Sequence, residues 1–489
     1  MKRRLYLLFP GIIFCTACAV GPKYVAPVVP AAPAYKEFAG SDQWKTAAPS
    51  DGLLKGKWWE IFNDPELNRL EEKVSTDNFS VKQAEAQFRA SRALLLGARA
   101  NYYPTIGSSP AIAQGDTHLG TNSTFELPFT ASWVPDLWGR VRLAVENANA
   151  NAQVSAADLE NMRLTLQATL ATDYFTLVST DMQIKLLDDT NKEYARYLTL
   201  TENRYNGGIA ARSDVTLAQT QLYTTQASET DLLATRNQLE HAIAVIIGVA
   251  PSELTIPTGT IAAPPPTIPT AVPSLLLERR PDIAAQERLI AAANANVGIA
   301  ETAYYPTLTL SATAGIESSS LASLFTYAGR LWSAGPSLSQ TLFDFGRRGA
   351  NVQYTIANYD AAVDAYRETV LTAFQQVEDN LSNLRVLAQE AEQTAAAVKA
   401  ADLSLVLELD RYKAGTDTYL NVITTESIDL SDQRQAVVLL QRRMNSAVNL
   451  VMALGGGWDA STLPTPDQIR SHGMVEPGNT QKVAQPISN

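Results

Sequence analysis

The chain repeats itself at a fixed distance: Tyr205, Gly208, Val215, Arg236 and Gly248 return as Tyr412, Gly415, Val422, Arg443 and Gly455, each 207 residues later. Tyr102-Tyr103-Pro104-Thr105 returns as Tyr304-Tyr305-Pro306-Thr307 at a spacing of 202, so a five-residue length difference lies between the two landmarks of each copy. A period this long is neither a solenoid unit nor a propeller blade. It constrains the chain to one pseudo-symmetric body of two like halves, residues 63–249 and 274–457. Between them lies a linker, 250–273, whose run Pro264-Pro265-Pro266 is too stiff for helix.

Each copy has the same order of patterns: a helix, two short alternating segments (about 105–135 and 307–343), a very long helix (about 139–205 and 347–412), a Gly turn and another helix (about 213–247 and 419–454). The best strand is Thr124–Val134, where Phe125, Leu127, Phe129, Ala131 and Trp133 alternate with polar residues or Pro. Thr307–Ile316 and Ser333–Leu342 alternate likewise, while Thr105–Ala113 alternates poorly. From Val352 to Tyr412 apolar residues or Tyr recur in steps of four and three, with Asp402 the one exception among eighteen positions. That is coiled-coil patterning with no Gly or Pro inside it. Such a helix is roughly 100 Å long, too long for a globular domain, and must project as a shaft.

Residues 1–17 read as a signal peptide: Lys2, Arg3 and Arg4, an apolar stretch, then small residues before Cys18. Cys15-Thr16-Ala17-Cys18 is similar to a bacterial lipoprotein box, with Cys15 where Leu is usual, which makes Cys18 the expected site of lipid attachment, palmitate included. Signal cleavage after Ala17 or Ala19 is the plainer alternative. Residues 18–62, rich in Pro and Ala at their start, read as an extended arm behind the anchor, and 458–489 as a polar tail.

Loss of Lys2, Arg3 and Arg4 takes the formal charge from −11 to −14, which argues against a nucleic-acid partner. His118, His241 and His472 lie far apart and the cysteines are confined to positions 15 and 18. No metal site, cofactor or catalytic residue is expected, and Gly455-Gly456-Gly457 lacks the Lys of a phosphate loop. The chain is not expected to be an enzyme.

Segments of about ten residues, apolar on one face and Ser/Thr on the other, fit outer-membrane barrel strands; a soluble sandwich is the commoner source of that pattern. Export and the lack of a spanning apolar helix favour the barrel. Four strands cannot close, and open edges in lipid cost several kcal/mol per unpaired group. Three chains would supply twelve strands around a water-lined passage.

Leu277-Glu278-Arg279-Arg280-Pro281-Asp282-Ile283, the paired Tyr-Tyr-Pro-Thr entries, Asp136-Leu137-Trp138-Gly139-Arg140, Phe343-Asp344-Phe345-Gly346-Arg347 and Leu454-Gly455-Gly456-Gly457-Trp458 stand in order along the chain. In these motifs the sequence resembles the TolC-like outer membrane factors, in the lipoprotein branch that serves tripartite efflux pumps. The resemblance implies a mainly α fold with a membrane β-barrel: a homotrimer with four strands per chain in a twelve-stranded barrel, continued by a periplasmic α-barrel of coiled-coil helices. It implies a passive exit channel for solutes, multidrug efflux included, delivered by an inner-membrane pump and a periplasmic adaptor, with outer-membrane lipid around the barrel. A lipid-anchored trimeric adhesin or stalk without a channel is the competing reading, although a stalk needs no paired hairpins.

In the duplicated turn, Gly208 and Gly415 end one helix, and Ser213 or Asp214, and Thr416 to Thr418, are candidate caps of the next. A plain helical hairpin explains these residue types; the resemblance adds adaptor contact at Tyr205, Gly208, Ser213, Asp214, Gly415, Thr416 and Asp417. Glu408 or Asp410, with Arg411 and Tyr412, is the expected periplasmic gate. In a threefold tunnel each acid is a ring of three that attracts cations and can be tied shut by Arg or Tyr hydrogen bonds. Asp402 is a second gate candidate, or a polar position that sets helix register.

Overall fold

The computed structural model describes residues 20–28, 35–38, 56–117, 120–268, 276–465 and 468–469. The signal peptide, Cys18 and most of the tail lie outside the described residues. The first copy runs α1 (Pro65–Asp77), α2 (Phe79–Ala100), β1 (Thr105–Ser108), β2 (Ala111–Thr117), β3 (Gly120–Trp133), α3 (Arg140–Asn206) and α4 (Arg212–Ile246). The second runs α5 (Leu276–Arg279), α6 (Pro281–Thr302), β4 (Thr307–Ser318), β5 (Arg330–Ser339), α7 (Arg347–Lys413) and α8 (Tyr419–Ala453).

The two long helices are 67 residues each and their return helices 35 each, so the 207-residue offset holds at every helix end of both hairpins. Both long helices start in the same way. Gly139 and Gly346 adopt left-handed backbone with φ of 82° and 89°, conformations open to Gly at little cost. Asp136 then accepts from the backbone N–H of Val141 and Arg142, and Asp344 from those of Gly346 and Arg348, satisfying donors that the first helical turn leaves free. This is the physical content of the two Asp…Gly-Arg motifs.

The sheet is antiparallel, and here the strand expectation needs adjustment. The first segment is split into β1 and β2, which share one register on β3: Ser108 lies opposite Phe129, and Ala111 opposite Glu126. The break falls at Ser109-Pro110, where Pro128 stands opposite, and neither proline has an N–H to give to the ladder. β5 begins at Arg330 and ends at Ser339, three residues earlier at each end than the alternation suggested. The order β1/β2–β3–β4–β5 thus forms four rows.

Register sorts the sheet into two faces. Phe129 pairs with Ala314 and Ala314 with Trp332; Trp133 pairs with Leu310 and Leu310 with Pro336. The alternate rows join Thr130, Thr313 and Ser333, then Ser132, Ser311 and Gly335. The apolar face has no helix on it among the described residues: Ile106, Ile112, Trp332 and Leu338 are 78%, 77%, 80% and 69% exposed.

In the helical half nearer the sheet, α3 packs between α2 and α6, and α7 beside α6; farther away the order is α4–α3–α8–α7. Mid-length, Trp58, Leu67, Leu70, Leu170, Leu177, Ile243, Ile247 and Ile256 are fully buried in a core that ties α1 and the linker to the hairpins. Arg236 fastens that linker. It donates to Asp181 at 2.6 Å, Glu240 at 2.9 Å and the Ile256 carbonyl at 2.7 Å, while Glu240 accepts from Ile256 N–H. In the second copy, where Arg443 stands in the place of Arg236, the places of Asp181 and Glu240 are taken by Ala388 and Ala447. Removing one partner of a buried ion pair costs about 3–5 kcal/mol. Arg236→Ala is therefore expected to lower the unfolding free energy by that order and Arg443→Ala by far less, as measured by chemical unfolding in detergent.

Candidate functional site

The two hairpin tips meet at one small core. Tyr412, Tyr419, Val422 and Ile423 from the second hairpin pack with Ala218 from the first, flanked by Tyr197, Leu198 and Leu409. Both turns close on glycine with positive φ, 73° at Gly208 and 78° at Gly415, and a Cβ on either would point into open space. Ile209 N–H returns to the Arg204 carbonyl at 2.8 Å and Thr416 N–H to the Arg411 carbonyl at 3.0 Å, so the same carbonyl is satisfied in both copies, with Ala210 N–H adding a second bond at 3.2 Å in the first.

Side chains then break the equivalence. Arg411 donates to Glu408 at 2.8 Å and pairs with Asp417 at 2.9 Å. Asp417 also accepts from Thr418 N–H and Asn421, and these partners, the backbone first, hold its carboxyl below its usual range. Thr416 hydroxyl donates to the Arg411 carbonyl. In the first tip Asp214 reaches back to Ala211 N–H at 3.2 Å; Ser213 is exposed beside it, as is Tyr205 at 38%. Of the two candidate caps, Asp214 is the one that reaches the helix start.

Glu408, Arg411, Thr416 and Asp417 are therefore one cluster. Asp410 is exposed and lies 3.9 Å from Lys413. Asp402 is about 15 Å up the helix from Tyr412 at the usual rise, bonded to Gln433, and takes no part in the tip cluster. Tyr412 is buried at 5% and does not bond to Arg411. Its partner is Arg204 of the first hairpin, whose guanidinium lies 4.4 Å above the ring and donates to the Tyr412 carbonyl at 3.2 Å. Sequence reasoning missed Arg204 as a site residue. The signal was present in the repeat itself, since Arg204 precedes Tyr205 as Arg411 precedes Tyr412.

It also missed Glu426 and Asp429, which are 5% and 6% exposed on the α8 face that carries Tyr419, Val422 and Ile423. Their three-residue spacing continues the step from Tyr419 to Val422 along one helix face, but nothing in the sequence marks that face as buried.

At the other end of the helices a cavity of about 1000 Å³ lies where strands become helices, lined among others by Tyr103, Trp138, Asn296, Tyr305, Tyr354 and Asn358. Trp138 stacks on Tyr305 at 4.9 Å. On α6 the cavity takes Asn296 and Ala300, whereas Asn294 and Gly298, on the opposite face, hold the N-terminal arm: Asn294 donates to the Pro22 carbonyl and Gly298 meets Gly21. Arm and cavity therefore occupy opposite sides of the helical wall.

Comparison with known proteins agrees with this architecture. The model of the family described as outer membrane efflux protein matches residues 72–249 and 272–457, more than half of the chain. The antibiotic efflux pump outer membrane protein ArpC of Pseudomonas putida is 28% identical over 478 residues, covering 94% of this chain and 97% of that protein. The outer-membrane channel OprN superposes with a TM-score of 0.83 at 29% identity, covering 90% of this chain and all of that one. The open state of the Neisseria gonorrhoeae MtrE outer membrane channel gives a TM-score of 0.77 at 26% identity over 91% of this chain and 99% of that chain. The two-faced sheet, the paired hairpins and these matches together place the chain in the outer membrane efflux protein family, as an outer-membrane channel.

Proposed function

We propose that three copies of this chain form one passive conduit, with the sheet in the outer membrane and the helical hairpins in the periplasm. The observation that carries the reading is the sheet. It has an uncovered apolar face, a Ser/Thr face, and unpaired edges on β1/β2 and on β5. No described helix is long and apolar enough to cross a membrane. Edge pairing of β5 with β1/β2 of a neighbour gives twelve rows, satisfies the backbone and turns the Ser/Thr face toward water.

The helices close in the same sense. In the order α4–α3–α8–α7, the free side of α7 carries Leu403, Val406 and Leu407, each at least 55% exposed, and α4 carries Tyr223 at 61%. Antiparallel packing of α7 on a neighbouring α4 covers them. Leu403→Asp is expected to shift the protein from trimer to monomer by native mass or light scattering in detergent.

The arm supports the lipid anchor. It runs along α6 toward the helix end that leads into β4, with Tyr24 bonded to Glu287 and Gly21 against Gly298. Gly298 is about one helical turn from that end of α6, and the proposed anchor at Cys18 comes three residues before Gly21 in the sequence. Cys18→Ala is expected to abolish palmitate labelling.

The tips are the closed gate and the adaptor-contact surface, facing an inner-membrane pump below; Tyr205, Gly208, Ser213, Gly415 and Thr416 present exposed positions for contact. Arg204 on Tyr412 ties the two hairpins together at the constriction, while Glu408, Arg411 and Asp417 brace the second tip from within. An exit channel of this family carries solutes without covalent chemistry. Arg204→Ala is expected to raise single-channel conductance or open time in planar bilayers severalfold, and Arg411→Ala to do so less. Absence of conductance in both the wild type and Arg204→Ala would favour the channel-less stalk.

A further inference from the structure

Glu426 occupies a place in α8 where the row Tyr419, Val422 and Ile423 calls for an apolar side chain. It is 5% exposed and its Oε2 atom has no hydrogen-bond partner. From α3 it is faced by the phenols of Tyr194 and Tyr197 and by Glu193, which Arg196 holds at 2.7 Å. From α8 itself come Tyr419 and Asp429. From α7 comes Asp402, coupled through Gln433, which donates to Asp402 at 3.2 Å and to Asp429 at 2.9 Å. The nearest contribution from α4 is neutral: Gln221 donates to Tyr194 hydroxyl and to Ser427.

Burial first, and then the two negative neighbours Glu193 and Asp429, push the Glu426 carboxyl up to about 8. Burial, with Asp402 adding to it, pushes Asp429 up to about 6.

The duplication shows that the hairpin packing does not require these acids. At the positions 207 residues earlier the first copy carries Gln219, Leu222 and Ala195 in place of Glu426, Asp429 and Asp402, on helices of identical length. The acids belong to one hairpin alone at these positions, next to the tip core that holds Tyr412 and Tyr419.

We propose that Glu426 is a proton-dependent latch in the seam between α3 and α8, packing the tip closed when protonated and driving the seam apart when ionised. The latch rests on the conduit reading for its effect on flow, though not for its effect on packing. The sign follows from linkage. The packed seam binds the proton more tightly than the separated one, so its stability is fully present below the ordinary carboxylate range, falls as pH rises above that range, and is lost once pH passes about 8. Alkaline conditions therefore favour the open tip.

Two measurements on the purified full-length protein test this, with wild type compared to Glu426→Gln, the side chain the first copy already accepts at Gln219. In planar bilayers between about pH 6 and 9.5, the wild-type open fraction is expected to rise with pH, by up to about tenfold per unit, and to level off above about 8. Glu426→Gln is expected to stay flat at the acidic value. Hydrogen exchange in residues 419–429 reads the seam without any channel, and corrected protection is expected to drop at alkaline pH in wild type but not in the variant. A variant that keeps the wild-type pH profile of protection overturns the latch. Protection that separates the two proteins while neither conducts supports the latch and overturns the conduit.

Discussion

A β-sheet placed in hydrocarbon has nowhere to send an unpaired backbone group, and everything else in this molecule follows from that constraint. Four rows with two free edges and an uncovered apolar face cannot be a finished structure. The chain must find copies of itself, and once the strands close into a ring the helices beneath them are committed to a ring as well. Long hairpins then line a passage because the strand closure above leaves them no other arrangement. The free apolar side of α7 and the matching side of α4 are the second place where this same incompleteness appears, expressed in side chains rather than in backbone.

The two hairpins meet that demand with one geometry and different chemistry. Backbone closure of the tips is the same in both copies down to the carbonyl each turn returns to. The carboxylates are not: Thr201, Asn203 and Ala210 of the first copy stand where the second has Glu408, Asp410 and Asp417. Arg236 shows the reverse case, a clamp with acids in the first copy, where the second has alanine at both acid positions. In the proposed trimer, threefold closure of a sixfold-looking wall thus yields alternate hairpins of unlike charge.

Much of the fold could be read from the chain alone, because its strongest signals are long-period ones. A 207-residue repeat, a seven-residue seam in α7 and period-two alternation in β3 each report on backbone geometry over many residues. The gap in the first strand was harder, since it depends on Ser109-Pro110 meeting Leu127-Pro128 across a register that no single segment reveals. The tip was legible as a turn and much less so as a site. Glu408, Arg411 and Asp417 are near in sequence and cluster in space, whereas Arg204 reaches Tyr412 only through the pairing of two hairpins. Glu426 was missed for a related reason. Its burial is conferred by α3, more than two hundred residues away, and an acid in an otherwise helical stretch reads as surface until that neighbour is in place.

The equal helix lengths of the two copies carry a consequence for how such a chain can change over time. Adding one residue to α3 would rotate every later contact on that helix by about 100° and lift its tip out of the plane shared with α7. The same addition in the connection between two strands is absorbed outside the ladder, as it is between β4 and β5, whereas inside a strand it would turn every later side chain to the other face. The five-residue difference between the copies lies in that permissive region, and none lies in the hairpins. Inheritance in this protein is therefore split by region: the shaft can vary in charge and side chain but is held to one length, and the barrel is where length itself is free to drift.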